Sequence, residues 1–122
     1  EARAEAMIHK ASDPFLRIML AQNLFSPTIW ANSLAKANLL LERIRPALTN
    51  NTASSLCTIW LYASEVCYHW NNAETDKAVE AANHALKLAN KTGIHILDTL
   101  IHYHVGIANL AAGRTEAARK NL

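Results

Sequence analysis

The last thirty residues of the chain, from Gly93 to Leu122, carry small side chains at positions where two helices must touch. Gly106 and Ala108 fall in one predicted helix, Gly113 falls at a turn, and Ala118 falls in the helix that follows. A glycine inside a helix costs about 1 kcal/mol relative to alanine, so its presence needs a packing reason. Gly106 therefore predicts a site where a neighbouring helix backbone comes too close for a Cβ atom.

The composition favours one soluble helical domain. Hydrophobic residues make up 51% of the 122 residues, and the chain has only three glycines and three prolines, which argues against disorder and against a turn-rich β fold. The net charge of +2 is too small and too dispersed for a nucleic-acid surface. Every apolar run is shorter than the roughly 18 residues that a membrane span requires. We expect residues 1–122 to form a single helical-repeat domain excised from a larger multidomain protein.

Proline and polar residues divide the first half of the chain into helices. An alanine-rich helix is predicted over residues 1–10, and a second one, with Pro14 in its first turn, extends to about Asn23. A longer helix is predicted from Thr28 to about Leu48, where apolar residues recur every three or four positions. Pro46 is expected to bend or end that helix.

The second half reads as two long helices and then the small-residue hairpin. After a polar loop at residues 49–52, a helix is predicted up to a break at Asn71 and Asn72. The next helix extends to a C-terminal glycine at Gly93. Close packing against neighbouring helices is predicted for a row of alanines on the helix that precedes Gly93: Ala78, Ala81, Ala82, Ala85 and Ala89. Cys57 and Cys67 share one helix about 15 Å apart, too far for a disulfide, so both are expected to be free thiols in a reducing compartment.

The second half of the chain contains an internal repeat, in which each unit is predicted to be a helical hairpin. Ala78 and Ala118 stand forty residues apart, each a few residues after a turn. The pattern resembles the tetratricopeptide repeat, which implies an all-α fold of antiparallel helical hairpins stacked as a superhelix. The positions that fit are His102, Val105, Gly106, Gly113, Ala118 and Leu122 in the last unit, and Trp60, Ala63, Ser64, Cys67, Ala78 and Ala85 in the preceding one, if the preceding turn is two residues longer.

The phrase ALKLANKTGIHILDTLIHYHVGIANLAAGRTEAARKNL is similar to the repeat region of bacterial ATP-dependent transcriptional activators of the MalT-like, LuxR-type class. The resemblance implies a cytoplasmic regulator whose helical repeats bind a small-molecule inducer or a protein partner. The chain has neither a GxxxxGK[ST] phosphate loop nor a recognisable DNA-reading helix pair, so we expect no direct contact with nucleic acid. The alternative is a generic protein-interaction scaffold in a multidomain signalling protein such as a kinase or cyclase.

For the histidines and cysteines, a structural role is a better interpretation than catalysis or metal binding. His95, Asp98 and His102 have spacings that allow one shared helical face, but helical histidines are more often packed or solvated than metal ligands. Cys67 and His69 diverge by about 200° on a helix, so they do not form a nucleophile pair. We expect no catalysis, no metal and no cofactor.

The predicted binding surface is the concave face built from the first helix of each repeat. The residues just off the packing stripe of that helix are expected to line a groove, where aromatic rings supply contact area and carboxylate and hydroxyl groups fix orientation. Their alternative role is packing against the helices of residues 14–48. The predicted ligand-binding residues are Leu61, Glu65, Tyr68, His69, Leu100, Tyr103 and Ile107.

Overall fold

Helices are the only regular secondary structure in the described part of the chain, which confirms the predicted all-α class. The computed structural model describes residues 33–49 and 54–122, and the single positions Arg3, Ala6, Met7, Lys10, Asp13 and Leu16; for residues 44 and 47–49 it describes the backbone alone. The predicted helices over residues 1–10 and up to Asn23, and the predicted start at Thr28, lie largely outside the described residues. The helices are α1 (Leu34–Thr49), α2 (Ser55–Asn71), α3 (Thr75–Thr92), α4 (Asp98–Ala111) and α5 (Thr115–Asn121).

Helix α1 continues past the proline that was expected to bend or end it. Pro46 lies inside the helix, which ends only at Thr49. Proline lacks an N–H group, but in the last turn it removes only the hydrogen bond that residue 46 would donate to the carbonyl of Glu42. Pro46 therefore does not end the helix at its own position, and the end at Thr49 agrees with the predicted end at about Leu48. Helix α2 begins after the predicted polar loop, and the Oγ of Ser54 caps it by accepting a 3.3 Å hydrogen bond from the backbone N–H of Cys57.

The alanine face of α3 packs against α2 and α4, as the sequence predicted. All five of its members are buried, and helix α3 contacts both of these neighbours. Ile59 and Val66 of α2 and Ile101 of α4 supply the larger side chains of the same core cluster. Because alanine projects only a methyl group, α3 leaves room for these branched side chains in the shared core.

The turns that close the α2–α3 and α4–α5 hairpins have the same length and the same hydrogen bonds. In the first, the N–H of Glu74 donates to the carbonyl of His69 at 2.8 Å, and Ala73 donates to Trp70 at 3.1 Å. Forty residues later, the N–H of Arg114 donates to the carbonyl of Asn109 at 2.8 Å, and that of Gly113 donates to the carbonyl of Leu110 at 3.0 Å. Ala73 in the first turn and Gly113 in the second both have positive φ. Both turns are Schellman motifs.

The predicted two-residue extension of the first turn was therefore wrong. The sequence comparison placed Gly106 over Ser64, and it needed the longer turn to bring Ala118 over Ala78. Because the two turns have the same geometry, residues of α4 align with residues of α2 that lie forty positions earlier, as residues of α5 do with those of α3. Gly106 is therefore equivalent to Val66. The register error arose because small residues were matched to small residues, whereas a Schellman motif in the first turn occurs without a glycine.

Gly106 makes room for a side chain, and not for a helix backbone as the sequence predicted. A Cβ atom on Gly106 would lie 2.5 Å from Cγ and 2.6 Å from Cδ2 of Leu122. The equivalent positions in the first hairpin hold Val66 and Ala82, both buried. The first hairpin thus has a large residue on its first helix and a small one on its second, and the second hairpin has the reverse. Leu122 follows the end of α5 and is 66% exposed, so only part of its side chain fills the space beside Gly106.

The two positive-φ positions predict opposite effects of exchanging glycine and alanine. Ala73 has φ of 59° and Gly113 has φ of 74°, a region in which a Cβ atom is strained. Ala73→Gly should raise the free energy of unfolding by about 0.5–1 kcal/mol, and Gly113→Ala should lower it by about 1 kcal/mol. Urea unfolding of both variants measures the two changes. Effects of the same sign would contradict the shared turn geometry.

The contact at Gly106 predicts a coupling with Leu122. Gly106→Leu should lower the free energy of unfolding by about 1 kcal/mol, because the new side chain overlaps that of Leu122, which is 66% exposed and can turn toward solvent. In a Leu122→Ala background the same substitution should cost much less, since the overlapping atoms are gone. A double-mutant cycle in urea separates the two effects. Equal losses in both backgrounds would mean that the new side chain meets another part of the fold.

Candidate functional site

The four predicted binding residues on α2 are buried or contact other side chains of this chain. Leu61 is only 5% exposed and belongs to the core. One carboxylate oxygen of Glu65 accepts hydrogen bonds of 3.0 and 2.9 Å from Nε and a terminal nitrogen of Arg45, which ties α1 to α2. The ring of Tyr68 meets that of His69 edge-on at a centroid distance of 5.3 Å. Leu61 is therefore a core residue, and the carboxylate of Glu65 and the ring of His69 already have partners within the fold.

His69 belongs to a charged cluster around Glu74, the residue that precedes α3. Its Nδ1 lies 2.8 Å from one carboxylate oxygen of Glu74, and the Nζ of Lys77 donates to the other at 2.6 Å. The hydrogen bond from Lys77, followed by that from His69, lowers the pKa of Glu74 to about 2. Glu74 is therefore ionised at physiological pH and is not a proton donor. Its negative charge lies at the positive end of the α3 dipole, where it stabilises the helix.

The three predicted binding residues on α4 are arranged differently, because they lie on an outward face. Leu100 and Tyr103 are exposed and Ile107 is half-buried. Leu110 continues the same face and is also exposed, although the sequence reasoning did not include it. We call Leu100, Tyr103, Ile107 and Leu110 the outer stripe. Its spacing of three, four and three residues is visible in the sequence and is the signal that could have identified Leu110.

The register error explains why the predicted α2 residues lie on a different helical face from the predicted α4 residues. Shifting a helix by two residues rotates its positions by about 200° about the axis. The predicted α2 residues were chosen with a two-residue offset from the α4 residues, so they fall on nearly the opposite face. In the observed forty-residue register, the α2 positions equivalent to the outer stripe are Trp60, Ala63, Cys67 and Trp70.

These equivalent positions on α2 are buried or half-buried, and Trp70 among them contacts α4. Ala63 is only 3% exposed, whereas Tyr103, its equivalent on α4, is 53% exposed. The indole Nε1 of Trp70 donates a 3.1 Å hydrogen bond to Nδ1 of His104 on α4. The two rings lie 6.2 Å apart at an interplanar angle of 29°. Trp70 therefore joins the first hairpin to the second at this face, whereas Tyr103 and Leu110 on the equivalent face of α4 are not covered by the described residues.

The Trp70 contact determines the protonation state of His104. Because Nδ1 accepts the indole proton, the neutral ring carries its own proton on Nε2. Burial of the ring lowers the pKa of His104. A second proton would enter at Nδ1, where it would face the indole N–H, so protonation and this hydrogen bond exclude each other.

The histidines and cysteines of the described residues do not assemble into a metal or nucleophile site. His95 Nδ1 lies 2.7 Å from Asp98 Oδ2, but His102 Nδ1 instead pairs with Asn121 Oδ1 at 3.1 Å. Across residues 33–49 and 54–122 and the six single positions, no three His, Cys, Asp or Glu side chains lie close enough to hold a metal ion. Cys57 and Cys67 are free, and burial raises the pKa of the Cys67 thiol to about 12, which keeps it protonated.

Comparison with known proteins provides no relative for this chain. No protein family, no curated protein and no solved structure matches it. Among the described helices, none is both long and apolar enough to cross a bilayer.

The His104 contact predicts a loss of stability in mild acid. The pKa of His104 is lower in the folded chain than in the unfolded chain, so the unfolded chain binds the proton more tightly. The free energy of unfolding should fall as the pH drops through the usual histidine pKa of about 6.5. His104→Gln should show a smaller fall, measured by urea unfolding on both sides of that pH. The same fall in both proteins would show that His104 does not contribute.

Proposed function

We propose that this chain is a regulatory protein-binding module, built from helical repeats of tetratricopeptide-like type, in a bacterial transcriptional regulator, with no catalysis of its own. The observation that carries the proposal is the outer stripe, four apolar residues on the outward face of α4. From Leu100 to Leu110 this helix contains no Asp, Glu, Lys or Arg. An exposed row of large apolar side chains on a helix without charged residues is suited to a partner.

A protein partner fits this surface better than a small inducer does. Small-molecule sites are concave and combine apolar walls with a few converging polar groups. The polar groups predicted for that role are already engaged: Glu65 with Arg45, and His69 with Glu74. The outer stripe instead offers a row of apolar side chains along a helix, a pattern that binds another helix in a groove.

The transcriptional context rests on the resemblance to MalT-like activators. In such a regulator, ATP and DNA would be bound by other parts of the polypeptide, and these repeats would receive the signal in the cytoplasm. The small and dispersed net charge of this chain agrees with a role that does not include contact with DNA. The engaged carboxylates and the protonated Cys67 thiol likewise agree with a binding role without chemistry.

Two leucines with nearly equal exposure provide a matched test of the outer stripe. Leu110 is 53% exposed within the stripe, and Leu39 is 52% exposed on α1. In the complete polypeptide that carries this chain, Leu110→Lys should reproduce the transcript changes caused by deleting the gene. Leu39→Lys should restore the wild-type transcript profile, because it adds the same charge outside the stripe.

Transcript profiles of the deletion strain complemented with each variant give the measurement. Thermal unfolding of the two variant chains checks that both substitutions leave the fold intact. Wild-type transcripts with Leu110→Lys would exclude the outer stripe as the regulatory surface. A deletion strain without any transcript change would exclude transcriptional regulation and favour a scaffold in another signalling protein.

A further inference from the structure

We infer that the second hairpin, formed by α4 and α5, is released from the first hairpin in acid while α2 and α3 remain folded. The trigger is protonation of His104, because the protonated ring cannot accept the hydrogen bond from Trp70 that joins the two hairpins. The release concerns the joint between the hairpins and is independent of the partner proposed for the outer stripe.

The second hairpin is attached to the rest of the described structure through one helix. Helix α5 packs on α4 and on no other described helix, so the hairpin is held by the contacts of α4 with α2 and α3. The first hairpin is also supported by α1, which packs on α2. In a stack of helical repeats each unit is stabilised by its neighbours, so a unit with one neighbour opens before a unit with two. Helices α4 and α5 have 14 and 7 residues, and isolated helices shorter than about 15 residues are marginal in water.

The Trp70–His104 hydrogen bond is partly buried between the hairpins. The indole Nε1 of Trp70 donates to Nδ1 of His104 at 3.1 Å. A second polar contact nearby is weaker, because the hydroxyl of Thr75 reaches the carbonyl oxygen of Ala108 only at 3.5 Å. Loss of the Trp70–His104 bond would leave a half-buried indole N–H without this acceptor, which costs more than the loss of an exposed hydrogen bond.

The other contacts between the hairpins do not compensate for that loss. Arg114 donates to a carboxylate oxygen of Asp76 at 2.8 Å, but both side chains are exposed, and exposed ion pairs contribute little stability. On the side of α3 the shared core consists of alanines, and a methyl group buries less apolar area than a larger side chain does. The hydrogen bond at His104 is therefore a substantial part of what holds α4.

The direction of the acid effect follows from the tautomer of His104. Its neutral ring accepts at Nδ1 and carries its proton on Nε2, whereas the protonated ring has N–H groups at both positions. Burial, and not a charged neighbour among the described residues, lowers the pKa of His104 in the closed joint. The open joint exposes the ring and binds the proton more tightly. Falling pH therefore shifts the equilibrium toward the open form.

The titratable groups of α2 and α3 near the joint have partners of their own. Beside the indole on α2 lies His69, whose Nδ1 is 2.8 Å from a carboxylate oxygen of Glu74. Protonation of His69 would strengthen this pair, which lies within the first hairpin and does not hold the second. On α3 the carboxylate of Asp76 is paired with Arg114 across the joint. None of these pairs supplies a negative charge to a protonated His104.

The groups of α4 and α5 do not supply one either. Tyr103 meets the ring of His104 edge-on at a centroid distance of 5.3 Å, and its phenol is neutral in acid. His102 pairs with Asn121 at 3.1 Å, which joins α4 to α5 inside the second hairpin. Glu116 of α5 is exposed and lies 3.8 Å from Arg119.

Amide hydrogen exchange of the chain, followed by NMR at about pH 7 and about pH 5, locates the opening, because these values lie on either side of the usual histidine pKa. Protection factors corrected for intrinsic exchange rates should fall in α4 by at least about threefold more than in α2 and α3. Equal falls in all three helices would mean global unfolding and would overturn the inference. So would unchanged protection in α4. This comparison uses the wild-type chain alone.

His104→Gln tests the trigger, because glutamine keeps an oxygen acceptor but does not titrate. The additional fall in α4 should disappear in this variant. It should persist in His84→Gln, the control, because His84 is 55% exposed on α3 and stacks on Tyr62 within the first hairpin. An unchanged fall in His104→Gln would exclude His104 as the trigger.

Trp70→Phe provides the same test if His104→Gln does not fold. Phenylalanine keeps an aromatic ring but has no N–H group to donate, so protonation of His104 no longer breaks a hydrogen bond. Protection of α4 should be lower than in the wild type at about pH 7, and its further fall at about pH 5 should be smaller. A fall as large as in the wild-type chain would overturn the role of the Trp70–His104 bond.

Discussion

The close approach of α3 to its neighbours is the contact on which the described fold depends. Five alanines on one face of α3 leave space for branched side chains of α2 and α4, such as Ile59 and Ile101, which share one buried core with them. Larger residues on α3 would separate the helices and leave voids or strain, because interiors are packed near the density of organic crystals. The alanine face therefore sets the distance between the two hairpins, and with it the position of the uncovered face of α4.

The polar side chains of this structure serve mainly to join the helices. Arg45 and Glu65 connect α1 to α2, and Trp70 and His104 connect α2 to α4. Arg114 reaches Asp76 at 2.8 Å and so connects the start of α5 with the first turn of α3. Ion pairs that are this exposed contribute little stability, but they help to select one arrangement of the helices. These charged and hydrogen-bonding side chains thus align the helices with one another. The outward face of α4, which we propose for a partner, is apolar.

The two Schellman turns connect the fold to the candidate site. Their shared hydrogen bonds define a forty-residue register in which the outer stripe of α4 corresponds to the face of α2 that holds the next hairpin. An error of two residues in this register turns a helix by about 200°, which exchanges its inner and outer faces. For that reason Leu61, which was selected from the sequence as a surface residue, is buried.

The sequence by itself determined the helical class, the alanine face of α3, the break after Asn71 and the αL glycines Gly93 and Gly113, because each depends on local propensity or on a short periodic pattern. It also indicated the apolar side chains of α4, but not which face they occupy. Only the tertiary structure decided that Ala73 adopts positive φ without being a glycine, and that Gly106 accommodates the side chain of Leu122. Only the structure decided which apolar stripe is covered. Sequence periodicity describes one helix at a time, whereas burial depends on how neighbouring helices are aligned against it.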